Sequence, residues 1–242
     1  MTPRPLSAVE LLDAVSICRD RPAIEAGVCL AALSMSELSL EACAQLAIGA
    51  RDAALVKLHA AMFGHQLELA AECPHCRTRL DVSLTTDALL IESDADDTAP
   101  MIEIDGQCFG VRPVDSADLA AVVDIPDAEA ARALLAIRCL VPAEGMDLPD
   151  TLSDADVDAI AVALAKVDPA SDPYVSLTCF GCEATWDAPV DIARILATEI
   201  EAAADALMDD IHDLALAYHW SEDAIIALAP ARRHAYLQRL RA

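Results

Sequence analysis

Aromatic side chains are scarce in this sequence: three Phe, three Tyr and two Trp, or 3% of 242 residues. Strands draw on β-branched and aromatic residues. A chain so poor in rings yet 55% hydrophobic, much of it Ala and Leu, suits packed helices better than a large sheet. Positive charge is scarce as well. Lys and Arg number 16 against 41 Asp and Glu, a formal net charge of −25. The phosphate backbone and anionic bilayers repel such a surface, which argues against nucleic-acid and membrane-surface binding. The acidic surface either keeps the chain soluble or awaits a basic partner. No apolar run approaches the length of a membrane span. The opening "MTPRPLSAVELLDAV" meets Glu10 and Asp13 before any signal-peptide core or cleavage site can form. G-x-S-x-G, H-E-x-x-H, G-x-x-x-x-G-K-[ST] and G-x-G-x-x-G are all missing. The expectation is a cytoplasmic protein that is not an enzyme.

What is present is organised by a change of period. Residues 1–65 read as an N-terminal helical region of three or four helices, with Leu55, Leu58 and Met62 on one face of the last and Gly64 as its stop. The period then becomes two, with Leu67 and Leu69 before "CPHC" and Leu80, Val82 and Leu84 after it. The acidic stretch "IESDADDTAP" reads as a surface loop. Asp105-Gly106 between alternating apolar residues marks a hairpin. Helices return in "DSADLAAVVD", "DAEAARALLAIRCL", which carries Leu134, Leu135, Ile137 and Leu140, and "SDADVDAIAVALAKVD". Alternation resumes around "CFGC", between Val175 and Leu177 on one side and Trp186 and Val190 on the other. Residues 66–90 and 174–190 thus form two matching strand, C-x-x-C, strand halves, 91–173 a hairpin plus helical insertion, and 191–242 a long helix followed by a helical hairpin. The expected fold is mainly α, with a small β zinc-ribbon-like element built from two distant halves (α+β).

One C-x-x-C supplies two ligands, and a closed zinc tetrahedron wants four. Cys73, Cys76, Cys179 and Cys182 make up the set, so one structural zinc per chain is expected. Ribbon knuckles usually carry Gly after the second cysteine, where φ is positive; here Arg77 and Glu183 hold those positions. A metal-free pair of buried thiol turns is the alternative, and a redox C-x-x-C would need a helix start in a βαβ unit, which neither pair has. Inside the first knuckle His75 reads as exposed. Cys18, Cys29, Cys43, Cys108 and Cys139 read as small buried hydrophobes, and His212 and His219, two turns apart on one helix, as packing or surface residues. Carboxylates are too numerous for any pair to carry meaning.

The stretch from Asp191 to Trp220 reads as one long helix with Ile192, Leu196, Ile200, Leu207, Ile211 and Leu214 on its apolar face and Glu201, Asp205, Asp209 and Asp213 largely opposite. Ser221, Glu222 and Asp223 look like the cap and first turn of a short helix, and Pro230 starts another. The outline resembles a helix-turn-helix, but Arg232, Arg233, Arg239 and Arg241 are its whole basic patch. Trp220, Arg232, Arg233 and Tyr236 are instead residue types enriched at interface hot spots, which points to a docking surface. Packing of the two rings in the core, with the arginines neutralising nearby acids, is the competing interpretation.

"LAIGARDAALVKLHAAMFG" leading into "CPHC", then "GVRPVDSADLAA", "VDPASDPYVSLTCFGC" and "IHDLALAYHWSEDAIIALAPARRHAYL" resemble, in order, the T-even-phage-type baseplate hub assembly chaperone family of contractile phages and phage-derived contractile injection systems. The resemblance runs from about residue 40 to the end. Its most specific part is carried by His212, Leu214, Ala215, Tyr218, Trp220, Ser221, Glu222, Ile225, Leu228, Arg232, Arg233, Tyr236 and Leu237. Relatives often have C-P-x-C-G at both knuckles; here Phe180 replaces the second proline and both glycines are absent. The resemblance implies a non-enzymatic baseplate component or hub assembly chaperone whose partners are the baseplate hub and other tail proteins. A free-standing zinc-ribbon module, regulatory or nucleic-acid-binding, is the alternative.

Overall fold

Short polar side chains start most of the helices. In the computed structural model, which describes residues 3–91 and 100–240, α1 (Ala8–Asp20) follows Ser7. The Ser7 hydroxyl accepts the Glu10 amide, and the Glu10 carboxylate accepts the Ser7 amide in return. After it come α2 (Ala23–Ser34), α3 (Leu40–Ala44), capped by Ser39, and α4 (Ile48–Phe63), which stops at Gly64 with φ of 94°. Only glycine adopts that backbone without strain on a Cβ. Strands β1 (Gln66–Glu72) and β2 (Arg79–Thr85) then pair antiparallel, from Gln66 against Thr85 to Glu72 against Arg79.

Of the stretch expected as an acidic surface loop, residues 92–99 lie outside the described residues, as does Arg241. Beyond it, β3 (Met101–Ile104) and β4 (Gln107–Val111) are joined at Asp105-Gly106, both with positive φ as a two-residue hairpin turn requires. Helices α5 (Ser116–Val122) and α6 (Ala128–Arg138) follow, capped by Asp115 and Asp127. The helix expected to carry Leu140 ends two residues earlier. Leu140 and Val141 form a short strand, β5, paired with Val111 and Gly110. Pro142 is the physical reason: it disfavours helical backbone at Val141 and cannot itself continue a helix. Next come α7 (Asp154–Val167), capped by Ser153 and Asp156, and the hairpin β6 (Tyr174–Thr178) with β7 (Thr185–Pro189). The chain ends with α8 (Ile192–Tyr218), α9 (Glu222–Ile226) and α10 (Pro230–Leu240). His219 is not helical; it caps α8 in a left-handed conformation. The fold is therefore mixed α+β, helices with small antiparallel sheets. Among the described residues no helix is long and apolar enough to cross a membrane.

Among the described residues three larger apolar cores stabilise it, with a small fourth cluster around Cys73 and Cys179. Leu30, Ala31, Leu55, Leu58 and Leu67 bury against Ile192, Leu196 and Ile200, so the first helices and the start of α8 share one core. Phe109, Val111, Leu140, Val157 and Ile160 form a second within the insertion. Leu207, Ile211 and Leu214 at the far end of α8 meet Ile225 and Leu237 in a third. Burial of a large aliphatic side chain contributes roughly 1.5–3 kcal/mol, so these stripes dominate the favourable side.

The insertion is tied to the first core around the start of α4, and this tie sets where β6 lies. The Ile48 amide donates to the Val114 carbonyl at 2.9 Å, and the Gly49 amide to Asp168 Oδ2 at 2.8 Å. Asp168 sits just before β6 and caps α4 from outside. A Cβ on Gly49 would overlap the Asp168 carboxylate and meet the Ala170 Cβ at 2.8 Å. Gly49→Ala should therefore destabilise the protein by about 1–3 kcal/mol, as overpacking does. Urea unfolding followed by circular dichroism checks this; an unchanged midpoint would mean the clamp is not needed.

Candidate metal centre

Each C-x-x-C forms the tip of a hairpin, and the two tips are built alike. In the first, the Cys73 amide donates to the Thr78 carbonyl and the Arg77 amide to the Cys73 carbonyl, both at 2.9 Å. In the second, Cys179 and Ala184, then Glu183 and Cys179, repeat both bonds at the same distance. Arg77 and Glu183 take φ of 60° and 59°. These are the two positions where the sequence lacks the usual glycine, and both adopt the left-handed backbone nonetheless. Strain of order 1 kcal/mol is accepted at each. The paired hydrogen bonds around the tips hold it in place.

The tips meet. The four sulfurs of Cys73, Cys76, Cys179 and Cys182 all lie within 4.8 Å of one another. Cys73 Sγ is 3.6 Å from Cys182 Sγ, and Cys76 Sγ is 3.5 Å from Cys179 Sγ. Cys73 and Cys179, the first cysteine of each pair, are buried among Leu80, Val82 and Trp186, while Cys76 and Cys182 face solvent. Two neighbours that the spacing rules did not single out complete the contact. Thr78 Oγ1 lies 3.1 Å from Cys76 Sγ, and the Gly181 amide donates to Cys179 Sγ at 3.3 Å. A Cβ at Gly181 would come within 2.8 Å of Thr78 Oγ1, so glycine lets the second tip approach the first.

Crowded together, the sulfurs of the cluster alter one another's ionisation. The Thr78 hydroxyl, with its backbone and the sulfurs of Cys182 and Cys179, lowers the Cys76 thiol to about 6. At Cys182 a backbone hydrogen bond at Ala184 pulls downward, but the sulfur of Cys76, burial, and the sulfurs of Cys73 and Cys179 push the thiol up to about 12. Four thiolates this close cannot all ionise unless a positive ion lies among them. The donor set, two pairs from two rigid tips, fits one metal ion.

Behind the tips the apolar faces of both hairpins, Leu69, Ala71 and Val82 against Val175, Leu177 and Ala188, line a cleft floored by Ile195 and Thr198 of α8. Other cysteines behave variously. Cys43 and Cys139 are buried and Cys18 and Cys29 half-buried, but Cys108, expected inside, is exposed. Strand alternation explains it: Phe109 points into the insertion core, so its neighbour points out, opposite Glu103. Burial, joined by the charges of Glu201 and Cys29, pushes the Cys18 thiol up to about 11, and burial with the Asp118 charge takes Cys139 to about 12. His75 is exposed on its turn.

At the C-terminal hairpin Trp220 stacks on Tyr218 with centroids 4.8 Å apart and meets Tyr236 edge-on at 4.9 Å. All three rings are half-buried on the third core. Arg232 is exposed, its guanidinium 6.0 Å from the Tyr236 ring centre. Arg233 turns inward and bonds Asp210 at 3.2 Å, with a side chain only 13% exposed. The expected patch thus divides into an aromatic cluster with one free-facing arginine and one arginine in an internal ion pair. Comparison with known proteins adds nothing further: no family model, curated protein or solved structure matches this chain.

Proposed function

We propose that the chain is a non-enzymatic component of a contractile phage tail or phage-like injection system, a baseplate protein or hub assembly chaperone, acting by protein–protein binding with a structural zinc. The observation that carries the binding half is the aromatic cluster of Tyr218, Trp220 and Tyr236 at the end of α8. Three of the chain's eight rings gather there, half-exposed, beside Arg232. Buried aromatic anchors flanked by arginine are what interface hot spots are made of. The class of partner, baseplate hub and other tail proteins, comes from the resemblance of "IHDLALAYHWSEDAIIALAPARRHAYL" to the hub chaperone family. The zinc assignment rests on the ligand set. Thiolates about 2.3 Å from a tetrahedral zinc sit about 3.8 Å from each other, close to the 3.5 Å and 3.6 Å of the Cys76–Cys179 and Cys73–Cys182 contacts, and a four-cysteine set leaves no open position. Zinc here is a staple for two hairpins, and its role is to hold the frame on which α8 is mounted.

The test is co-expression of the tagged chain with hub, tube and sheath proteins. The wild type should co-purify with a hub component. A Trp220→Ala, Arg232→Ala variant should lose that partner at least tenfold while keeping its helical circular dichroism. Arg233 is left in place because it serves the Asp210 pair. Retention of the partner by the variant would contradict the docking surface. Salt-sensitive binding to duplex DNA without any tail partner would favour the regulatory ribbon module instead.

A further inference from the structure

The four cysteines also form a modification site, one that the metal reading does not require. We propose that, when no metal lies between them, mild peroxide oxidation joins the two hairpins through a pair of crossed disulfides, Cys76–Cys179 and Cys73–Cys182, and not through one disulfide inside each C-x-x-C. The juxtaposition carries this. The two pairs at 3.5 Å and 3.6 Å both run between the tips, each linking an exposed cysteine of one tip to the buried cysteine of the other. A disulfide needs sulfurs at about 2.05 Å, so each pair must close by only about 1.5 Å. Both crossed bonds can form together without unwinding either tip, whose backbone hydrogen bonds at Cys73 and Cys179 are already made.

The chemistry balances in two steps per bond. The exposed sulfur, Cys76 or Cys182, attacks hydrogen peroxide, breaks its O–O bond, becomes a sulfenic acid and releases one water once protons are counted. The buried sulfur of the opposite tip then attacks the sulfenic sulfur, the S–O bond breaks, and a second water leaves. One peroxide is reduced and two thiols are oxidised for each disulfide. The bonds close loops spanning 103 and 109 residues between the hairpins. Oxidation therefore latches the tips where metal would otherwise hold them, and the hairpins stay docked after metal is lost. The full chain has two states of the same frame, metal-stapled under reducing conditions and disulfide-latched under oxidising ones.

Non-reducing trypsin digestion tests it on the full-length chain, chelator-stripped while reduced, then treated with peroxide. Cleavage after Lys57, Arg77, Lys166 and Arg194 places Cys73 and Cys76 on peptide 58–77 and Cys179 and Cys182 on peptide 167–194. The expected species is the two peptides joined and lighter than their sum by four hydrogens. A Cys73→Ser, Cys182→Ser variant should still join its peptides, while Cys76→Ser, Cys182→Ser should join them at least fivefold more slowly, since both remaining sulfurs are buried. Separate peptides, each lighter by two hydrogens, would overturn the proposal. The experiment contains no metal, so its failure and a failure of zinc binding are read apart.

Discussion

Stripping the metal from the reduced protein should lower its thermal midpoint by about 10 °C. The paired cysteines sit 103 and 109 residues apart in sequence, so an ion held among them would close a long loop. A covalent cross-link closing a loop of about 100 residues stabilises by roughly 4–5 kcal/mol, which serves as the guide to scale. For a chain of this size each kcal/mol moves the midpoint by about 2–4 °C. Cys179→Ser should reproduce the loss without chelator, because it removes a buried ligand and leaves three thiols crowded together. The change should concentrate in the hairpins: amides of β1, β2, β6 and β7 should exchange faster, and those of the insertion core should not. Scanning calorimetry and hydrogen exchange, each with and without chelator, read this directly. Equal midpoints would mean the hairpins dock through their apolar faces alone.

The second large effect lies away from the cysteines. Asp118 is fully buried at the start of α5 and accepts two hydrogen bonds from Arg112, at 2.6 Å and 2.9 Å, and one from Arg138 at 2.9 Å. Arg112 also donates to the Arg138 carbonyl, so one carboxylate ties the end of β4, the start of α5 and the end of α6. Asp118→Asn would leave two guanidiniums facing a neutral amide. The expected loss is about 3 kcal/mol, the lower end for breaking a buried pair, because both arginine side chains keep about a third of their surface in water. Acid should erase the difference between variant and wild type. Burial by itself would raise the Asp118 carboxyl, but the Arg112 hydrogen bonds, the Asp115 amide and both guanidinium charges outweigh it and lower the value. A lowered folded-state value contributes stability that is complete above the unfolded-state value, about 3.9, and lost as the pH falls through the folded one. Denaturant midpoints of the two proteins should therefore differ at pH 7 and converge below about pH 4. A constant gap down to pH 2 would mean Asp118 acts through shape and not charge.

What the sequence makes legible here is whatever depends on neighbours in the chain. Period-two alternation on either side of "CPHC" and "CFGC" places both pairs at hairpin tips, and Asp105-Gly106 marks its own turn. Ser221 announces the helix it caps. That the two cysteine pairs belong together follows from needing four ligands, although 103 residues separate the nearer of the two sulfur pairs in contact. What depends on distant contacts stays hidden. In a chain with 41 acids nothing local distinguishes Asp118 or Asp168 from their exposed counterparts; only the fold brings Arg138 to the one and Gly49 to the other. Arg232 and Arg233 look equivalent as neighbours, yet helix geometry turns the second toward Asp210 and leaves the first outside. Leu140 reads as helical until Pro142 and the free edge of β4 are weighed together.

Metal content per folded chain tests the central claim, a zinc staple across two sequence-distant hairpins, most directly. Protein purified under reducing conditions should show by native mass spectrometry one zinc per chain bound through Cys73, Cys76, Cys179 and Cys182, with four thiols deprotonated on binding. Changing a cysteine in either tip should abolish it, Cys73→Ser and Cys179→Ser alike, while Cys108→Ser, an exposed cysteine outside the cluster, should leave it intact. Folded, reduced chain that carries no zinc after dialysis against a small molar excess of the ion would contradict the account.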